Sequence, residues 1–359
     1  MPRGDAGAMD RDAEVAMDAS MPVDSSVAPD STFVADASES LDAAVDASRE
    51  MDASVTTDAA MDAGGVVDAG GAVDASPDSG ATLDAGMGGR TAATVCARWN
   101  SDTADLSEGT WSGSTATCTA GDMTSAWRDR AMRQVNLFRW LSGLPDTLGH
   151  DATLDAKSQA GALMMEAQMG ISHSPDASWL CYTADGAEAA AHSNLAGGSQ
   201  SVSSIASYMV DGGNESTLGH RRWILSNTVG PFGVGCTTNY SVLWVVNGAS
   251  SGPSYTAWPN PGYVPIEAWT DHWGSSLDRL GWSVQSDSVN LDGATASVTR
   301  DGVAVPTTTM HLPAGYGSGY ALSIMHAWNA EVGRTYHVSL SGVATPIEYD
   351  VVPVDCSTF

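Results

Sequence analysis

The uneven distribution of acidic and aromatic residues limits where this chain can fold. Residues 1–89 contain 16 Asp and 3 Glu but only one aromatic residue, Phe33, whereas all 12 Trp lie beyond them. Such a segment has too little apolar surface to offset the conformational entropy that folding removes. We therefore predict that residues 1–89 are a disordered acidic linker and that the rest of the chain holds the folded material.

The acidic segment is also repetitive. Asp recurs every six residues from Asp12 to Asp42, and many of its Asp residues precede Ala. A short fixed period can indicate a β-solenoid, and Asp-Ala-Gly-Gly at 68–71 is similar to part of a calcium-binding repeat. Because the Gly-Gly-x-Gly-x-Asp pattern is missing, we interpret the segment as an extended, self-repelling spacer that holds a domain away from a cell envelope.

Charge and cysteine content indicate the class of protein. A formal net charge of -28 argues against nucleic-acid binding through a basic surface. The sequence has no apolar stretch of membrane-spanning length, and its first residues lack the apolar centre of a signal peptide. The chain nevertheless has a single Lys and five widely spaced Cys, a composition typical of exported proteins. We expect an extracellular or envelope-attached protein whose signal peptide or lipidated Cys lies upstream of this start.

Hydrophobic spacing predicts helices in the first half of the folded part. Apolar residues four and three apart indicate a helix that contains Trp127, Ala131, Val135 and Phe138. Further predicted helices cover residues 151–168, 203–210 and 218–225, and predicted strands cover residues 232–236 and 241–246. Residues from Arg90 to about 121 are interpreted as an irregular lead-in closed by a disulfide.

After Pro253 the pattern changes to short strands separated by turns. Strands are predicted at 294–299, 320–325, 335–340 and 347–354. We predict that residues 262–359 form a separate β-sandwich domain with no catalytic constellation of its own. We also expect ligand binding elsewhere in the chain to be independent of this domain.

The strongest motif is Gly219-His220-Arg221, which is followed by Gly233-Val234-Gly235. Upstream of it lie Asn136 and Arg139, then His173, then Ser-Asn-Leu-Ala at 193–196. In this order the residues resemble the CAP superfamily, also called the SCP domain, which includes cysteine-rich secretory proteins, antigen 5 and pathogenesis-related 1. The resemblance covers about residues 124–247. We predict that residues 90–252 form this domain together with its lead-in. It implies a secreted α-β-α sandwich, and therefore an α+β chain, with a cleft between two histidines.

The resemblance also implies the residues of the cleft. His173 and His220 match the two family histidines, and Asp211 lies where many members have Glu. The position of the fourth member, also acidic in the family, is occupied by Ser193. Two imidazoles and one carboxylate can hold a divalent metal such as zinc with one open position. The alternative is a histidine pair that only hydrogen-bonds across the cleft.

Two other acidic residues, Glu188 and Glu215, are near enough in sequence to replace the missing carboxylate. Without it, the cleft favours a non-enzymatic module that binds an extracellular lipid, glycan or protein. The alternative is a peptidase-like extracellular hydrolase that uses the histidine pair with a metal or with Ser193. A Gly-x-Ser-x-Gly pattern at 248–252 is similar to a nucleophile elbow, but Pro253 follows where a helix is required, so we interpret it as a turn.

The five cysteines permit several pairings. The family fold implies that Cys181 pairs with Cys236, because it brings the Gly-x-Gly strand past the loop that follows the first histidine. Cys96 with Cys118 is the second predicted pair. Cys356 is then left over.

Overall fold

A computed structural model describes residues 89–124, 126–246, 248 and 252–359. The predicted acidic linker, except for Gly89, lies outside these residues. The centre of the Gly-x-Ser-x-Gly pattern lies outside them as well. Within the described part of the chain, no helix is long and apolar enough to cross a membrane.

The elements of the described chain follow in sequence order. The α-helices are α1 Ala92–Asp102, α2 Trp127–Leu141, α3 Ala152–Gln168, α4 Ala184–Ala191, α5 Ser201–Val210, α6 Gly219–Ile224 and α7 Leu277–Leu280. The strands are β1 Ser193–Gly197, β2 Gly233–Cys236, β3 Tyr240–Trp244, β4 Thr256–Trp258, β5 Gly262–Pro265, β6 Trp282–Ser286, β7 Thr295–Arg300, β8 Val303–Val305, β9 Thr308–Leu312, β10 Tyr320–Met325, β11 Tyr336–Ser341 and β12 Ile347–Val354. Short 3₁₀ helices occupy Ile266–Trp269 and Cys356–Thr358.

The two long helices confirm the predictions made from hydrophobic spacing. The four apolar residues that indicated α2 are all buried. Asp151 caps the N-terminus of α3, because its side chain accepts hydrogen bonds from the backbone N–H groups of Thr153 and Leu154. Met169 caps the C-terminus in a left-handed conformation.

The first sheet lies between helices and explains the Gly-x-Gly motif. Its strand order is β1-β3-β2, with antiparallel pairing throughout. A Cβ atom at Gly235 would lie 2.1 Å from the Ser158 carbonyl carbon, so glycine is needed for α3 to pack directly on β2. The next side chain, Cys236, points to the opposite face, where its Sγ accepts a hydrogen bond from the Ser201 N–H of α5. Helices therefore cover both faces of this sheet.

Two further sheets follow in the C-terminal part of the chain. One has the order β4-β6-β10-β9 and the other β5-β12-β11-β7-β8, and β5 with β12 is the parallel pair. Strand β4 pairs with β6 and therefore belongs with the strands that follow residue 262. The Phe138 ring of α2 meets the Trp258 ring of β4 edge to face at 5.4 Å. The helical part and these sheets thus share one hydrophobic core.

Helix α1 occupies the segment for which an irregular lead-in was predicted. Thr91 caps it, because its side chain accepts a hydrogen bond from the Thr94 N–H. Its buried residues include Val95 and Cys96, and the helix packs against the C-terminal 3₁₀ helix and β5. The predicted irregular lead-in is therefore wrong at Ala92–Asp102, where a helix packs against elements that lie far away in sequence.

Both predicted disulfides are wrong. The structure pairs Cys96 with Cys356 and Cys118 with Cys181, at Cα–Cα distances of 4.9 and 5.1 Å. Cys236 is a buried thiol without a cysteine partner among the residues described. It faces α5, whereas Cys181 precedes α4, which packs on α3 at the other side of the sheet. A disulfide between them is therefore excluded, and Cys356 is not left over.

Candidate functional site

A cavity of about 100 Å³ lies beside the N-terminus of α6. It is lined by His173, Ser193, Asn194, Asn214, Thr217, Gly219, His220, Trp223 and Tyr316. The structure thus brings three of the four predicted residues to one cavity. The fourth, Asp211, lies behind His220 and does not line it.

The residue that ends α5, Asp211, contacts the Nδ1 side of the His220 ring. Asp211 ends that helix in a left-handed conformation with φ 67°, and its Oδ1 lies 3.0 Å from His220 Nδ1. The side-chain amide of Asn214 donates to the same carboxylate oxygen at 3.0 Å. The same amide nitrogen lies 3.1 Å from His220 Nδ1 and can only donate, so Nδ1 accepts this hydrogen bond and neutral His220 carries its proton on Nε2. Nε2 is then a hydrogen-bond donor in the cavity.

Asp211 also connects α5 with the first turn of α6. Its Oδ2 accepts a hydrogen bond from the Arg221 N–H at 3.1 Å, and the residue is almost completely buried. The guanidinium of Arg221 is buried as well and donates to the carbonyl oxygens of Met209, Val210 and Gly281. Burial lowers the pKa of Arg221 to about 10, and Asp211 opposes that shift. Arg221 is therefore charged near neutral pH, and the hydrogen bonds of Asp211 fix its carboxylate in place.

His173 reaches the cavity from the loop after α3. Its Nδ1 lies 2.8 Å from the carbonyl oxygen of Ala190, which can only accept, so Nδ1 carries the proton. Burial of the imidazole ring lowers the pKa of His173, and the nearby His220 lowers it further. Although the residue as a whole is exposed, the imidazole is therefore neutral near pH 7. Its Nε2 is a hydrogen-bond acceptor at the cavity.

Ser193 contributes a hydroxyl at the start of β1. Pairing with Trp244 on β3 fixes its backbone, and 6% of the residue is exposed. Its Oγ has no hydrogen-bond partner within the described residues, although it is buried. A buried hydroxyl in this state can hydrogen-bond to a water or to a ligand group.

The residues at the cavity do not fit a metal site. Both carboxylate oxygens of Asp211 already accept hydrogen bonds, and the group lies on the far side of the His220 ring. In the described part of the chain, no three His, Cys, Asp or Glu side chains are grouped as metal ligands. The predicted ligand set of His173, His220 and Asp211 is therefore not assembled.

Neither acidic alternative replaces the missing carboxylate. Glu188 accepts a hydrogen bond from the Lys157 ammonium at 2.6 Å on an exposed surface. Glu215 accepts a weak hydrogen bond from the Gly213 N–H at 3.3 Å and is also exposed. Neither residue lines the cavity. Neither Glu188 nor Glu215 therefore places a carboxylate beside Ser193 in the cavity.

Asn214 and Tyr316 are among the cavity residues that sequence reasoning missed. Asn214 lies between Asp211 and His220, so the polar spacing within this segment could have indicated it. Tyr316 comes from the loop between β9 and β10, and no local sequence pattern connects it to the cleft. The C-terminal part therefore contributes to the cavity wall, whereas the independence of ligand binding from this part stays a prediction.

Comparison with known proteins identifies the segment that carries most of this cavity. Residues 132–247 match the family model described as CAP, the Cysteine-rich secretory protein family. No curated protein and no solved structure shows significant similarity to the chain. The matched segment includes His173, Ser193, Asp211 and His220, and it extends from α2 to the end of the first sheet. Residues 132–247, about a third of the chain, are therefore similar to the CAP family.

Proposed function

We propose that this protein is a secreted or envelope-tethered binding module that takes a small ligand group into the cavity between His173 and His220. Residues 1–89 act as the acidic spacer, residues 90–252 as the CAP domain with its lead-in, and residues 262–359 as a β-sandwich that supports it. The observation that carries the proposal is the buried Ser193 hydroxyl without a partner among the described residues. It lies in the same cavity as two histidines.

The chemistry of the cavity indicates the kind of group that it accepts. His173 offers its Nε2 as a hydrogen-bond acceptor, neutral His220 offers its Nε2–H as a donor, and Ser193 offers a hydroxyl donor and acceptor. A volume of about 100 Å³ is room for roughly three waters at about 30 Å³ each. The cavity therefore holds one polar group of a larger ligand, and a glycan hydroxyl fits it better than an apolar lipid chain.

Binding to a panel of soluble neutral oligosaccharides, measured by isothermal titration calorimetry, tests this function. We expect Ser193→Ala to weaken binding by about tenfold, because one net hydrogen bond contributes roughly 1 kcal/mol. The matched control is Ser288→Ala, which removes the hydroxyl of an exposed serine in the C-terminal part and leaves affinity unchanged. If no oligosaccharide binds the wild type, or if Ser193→Ala binds as tightly as the wild type, the glycan proposal is wrong.

A hydrolase is the second candidate, and the Asp211–His220 pair favours it. The 3.0 Å contact brings an acid close to Nδ1 of a histidine, as in enzymes whose histidine acts as a base through Nε2, although the Asn214 amide also donates to this Nδ1. Ser193 Oγ would then attack an acyl carbon while its proton passes to that nitrogen. The Ser193 hydroxyl, however, forms no hydrogen bond to any side chain of the described residues, so the serine and the base are not joined. We therefore place binding first.

Labelling with a fluorophosphonate distinguishes the two candidates. A hydrolase is expected to be labelled at Ser193, and labelling should be lost in Ser193→Ala and reduced in His220→Gln. A binding module is expected to remain unlabelled while it binds its oligosaccharide. Mass spectrometry of the labelled peptide identifies the residue.

A further inference from the structure

One wall of the cavity comes from beyond the matched CAP domain. The loop between β9 and β10 places Tyr316 at the cavity, whereas the family match ends at residue 247. This loop has an unusual backbone, with φ values of 91° at Gly315, 52° at Tyr316 and 79° at Gly317. The left-handed region is unfavourable for a tyrosine, so other contacts must fix this conformation.

Arg222, two residues after His220, supplies those contacts. Its guanidinium donates hydrogen bonds to the Pro313 carbonyl at 2.9 Å, the Gly315 carbonyl at 2.7 Å and the Ser318 Oγ at 2.9 Å. It also lies 5.5 Å from the centre of the Tyr316 ring. The guanidinium thus anchors both ends of the loop to the helix that carries His220.

Two glycines allow the loop to approach that helix closely. A Cβ atom at Gly219 would lie 2.7 Å from Tyr316 Cδ1, so the ring packs against the backbone next to His220. A Cβ atom at Gly317 would lie 2.9 Å from Trp223 Cε3. Neither position has room for a larger residue, and the Tyr316 ring is therefore held at a fixed place beside the cavity.

We propose that Tyr316 is a specificity-determining residue, whose ring limits the size of the group that can reach His220 and Ser193. This inference rests on the proposed function of the cavity as a ligand site. The Tyr316 side chain is half-buried, and 23% of the His220 side chain is exposed. The opening to His220 is therefore narrow, and the Tyr316 ring forms part of its edge. A smaller side chain widens this opening and a larger one narrows it.

Acylation of histidines by diethyl pyrocarbonate tests the inference without any ligand. The unprotonated nitrogen of a neutral imidazole attacks a carbonyl carbon of the reagent and acquires an ethoxycarbonyl group. The ethyl carbonate that leaves takes up the proton of the other ring nitrogen and decomposes to ethanol and carbon dioxide. Peptide mass spectrometry gives the rate at His220, with His337 on β11 as the internal reference. The variants are Tyr316→Ala, Tyr316→Phe and Tyr316→Trp. The control is Tyr182→Ala, which changes an exposed tyrosine that does not line the cavity.

We expect Tyr316→Ala to raise the rate at His220 by about threefold or more relative to His337, because a covered group reacts only after local opening. Tyr316→Phe should match the wild type, since it keeps the ring, and Tyr316→Trp should slow the reaction. Tyr182→Ala should change nothing. If Tyr316→Ala does not fold, the order of the Phe and Trp variants still decides the question.

Equal relative rates at His220 in all variants would overturn the proposal, and so would a rise at His337 as large as that at His220. Because the assay measures access to an imidazole, it can succeed even if no oligosaccharide binds. Conversely, oligosaccharide binding with unchanged acylation rates would support the cavity as a ligand site while rejecting the role of Tyr316.

Discussion

Asp211 and His220 are joined by a 3.0 Å contact between a buried carboxylate oxygen and Nδ1 of the imidazole. The same carboxylate accepts hydrogen bonds from the Arg221 N–H and from the side-chain amide of Asn214, which also donates to His220 Nδ1. These contacts hold His220 and the first turn of α6 in place, and they explain why Asp211 belongs to the site although it does not line the cavity.

Replacing Asp211 with alanine should lower the free energy of unfolding by about 3 kcal/mol, because it leaves buried donors without an acceptor. Asp292→Asn, at an exposed position, should change it by less than about 0.5 kcal/mol. Urea denaturation followed by tryptophan fluorescence measures both. Equal stability of Asp211→Ala and the wild type would contradict the orienting role.

Gly235→Ala should lower the free energy of unfolding by about 3 kcal/mol or more, since the new Cβ atom would force α3 away from β2. Gly149→Ala is the matched control, because a Cβ atom there meets no atom of the described residues within 4 Å. Thermal unfolding by circular dichroism compares the two. A Gly235→Ala protein as stable as the control would show that the helix is not packed directly on the strand.

Stability should fall as the pH is lowered through the range in which free histidine becomes protonated. Burial lowers the pKa of His326, although the negative charge of Asp278 opposes the shift. An unfolded histidine binds a proton near pH 6.5 and the folded one only at lower pH, so acid favours the unfolded chain. We expect His326→Gln to have a flatter dependence of unfolding free energy between about pH 7.5 and pH 5. His311→Gln, at an exposed position, should keep the wild-type slope, and a steeper slope in His326→Gln would refute this assignment.

Cys356→Ser should lower the free energy of unfolding by roughly 5 kcal/mol in the chain-entropy model, because the Cys96–Cys356 bond spans 260 residues. Cys236→Ala is the control, since this buried thiol has no cysteine partner in the described chain and burial raises its pKa to about 12. Guanidinium denaturation under non-reducing conditions measures the difference. Peptide mapping that linked Cys181 to Cys236 would contradict the pairing.

The sequence predicted elements with strong local patterns most reliably. The predicted strands at 320–325 and 347–354 coincide with β10 and β12, because turns and alternating residues mark their ends. Helix α4 is short and Ala-rich, and β1 is a five-residue strand in a Ser- and Gly-rich segment, so neither has a periodic pattern that predicts it. The histidines of the cavity were predicted through the family motif.

The remaining errors concern contacts between distant parts of the chain. The pairing of Cys181 depends on which face of the sheet each cysteine occupies, and a motif that places Cys236 on a strand does not specify the face. The role of Tyr316 depends on the docking of its loop against Arg222, which lies far away in sequence. Such contacts are determined by tertiary packing, which local patterns do not encode.

The disulfide between Cys96 and Cys356 makes the folded part a covalent ring. The first cysteine lies in the first described helix, and the second lies three residues before the last residue. One proteolytic cut anywhere between them leaves both fragments attached to each other, since the bond bridges the cut. A protein exposed to extracellular proteases would thus keep its cavity and the Tyr316 loop in one molecule after nicking. Only a second cut or a reductant would release a fragment.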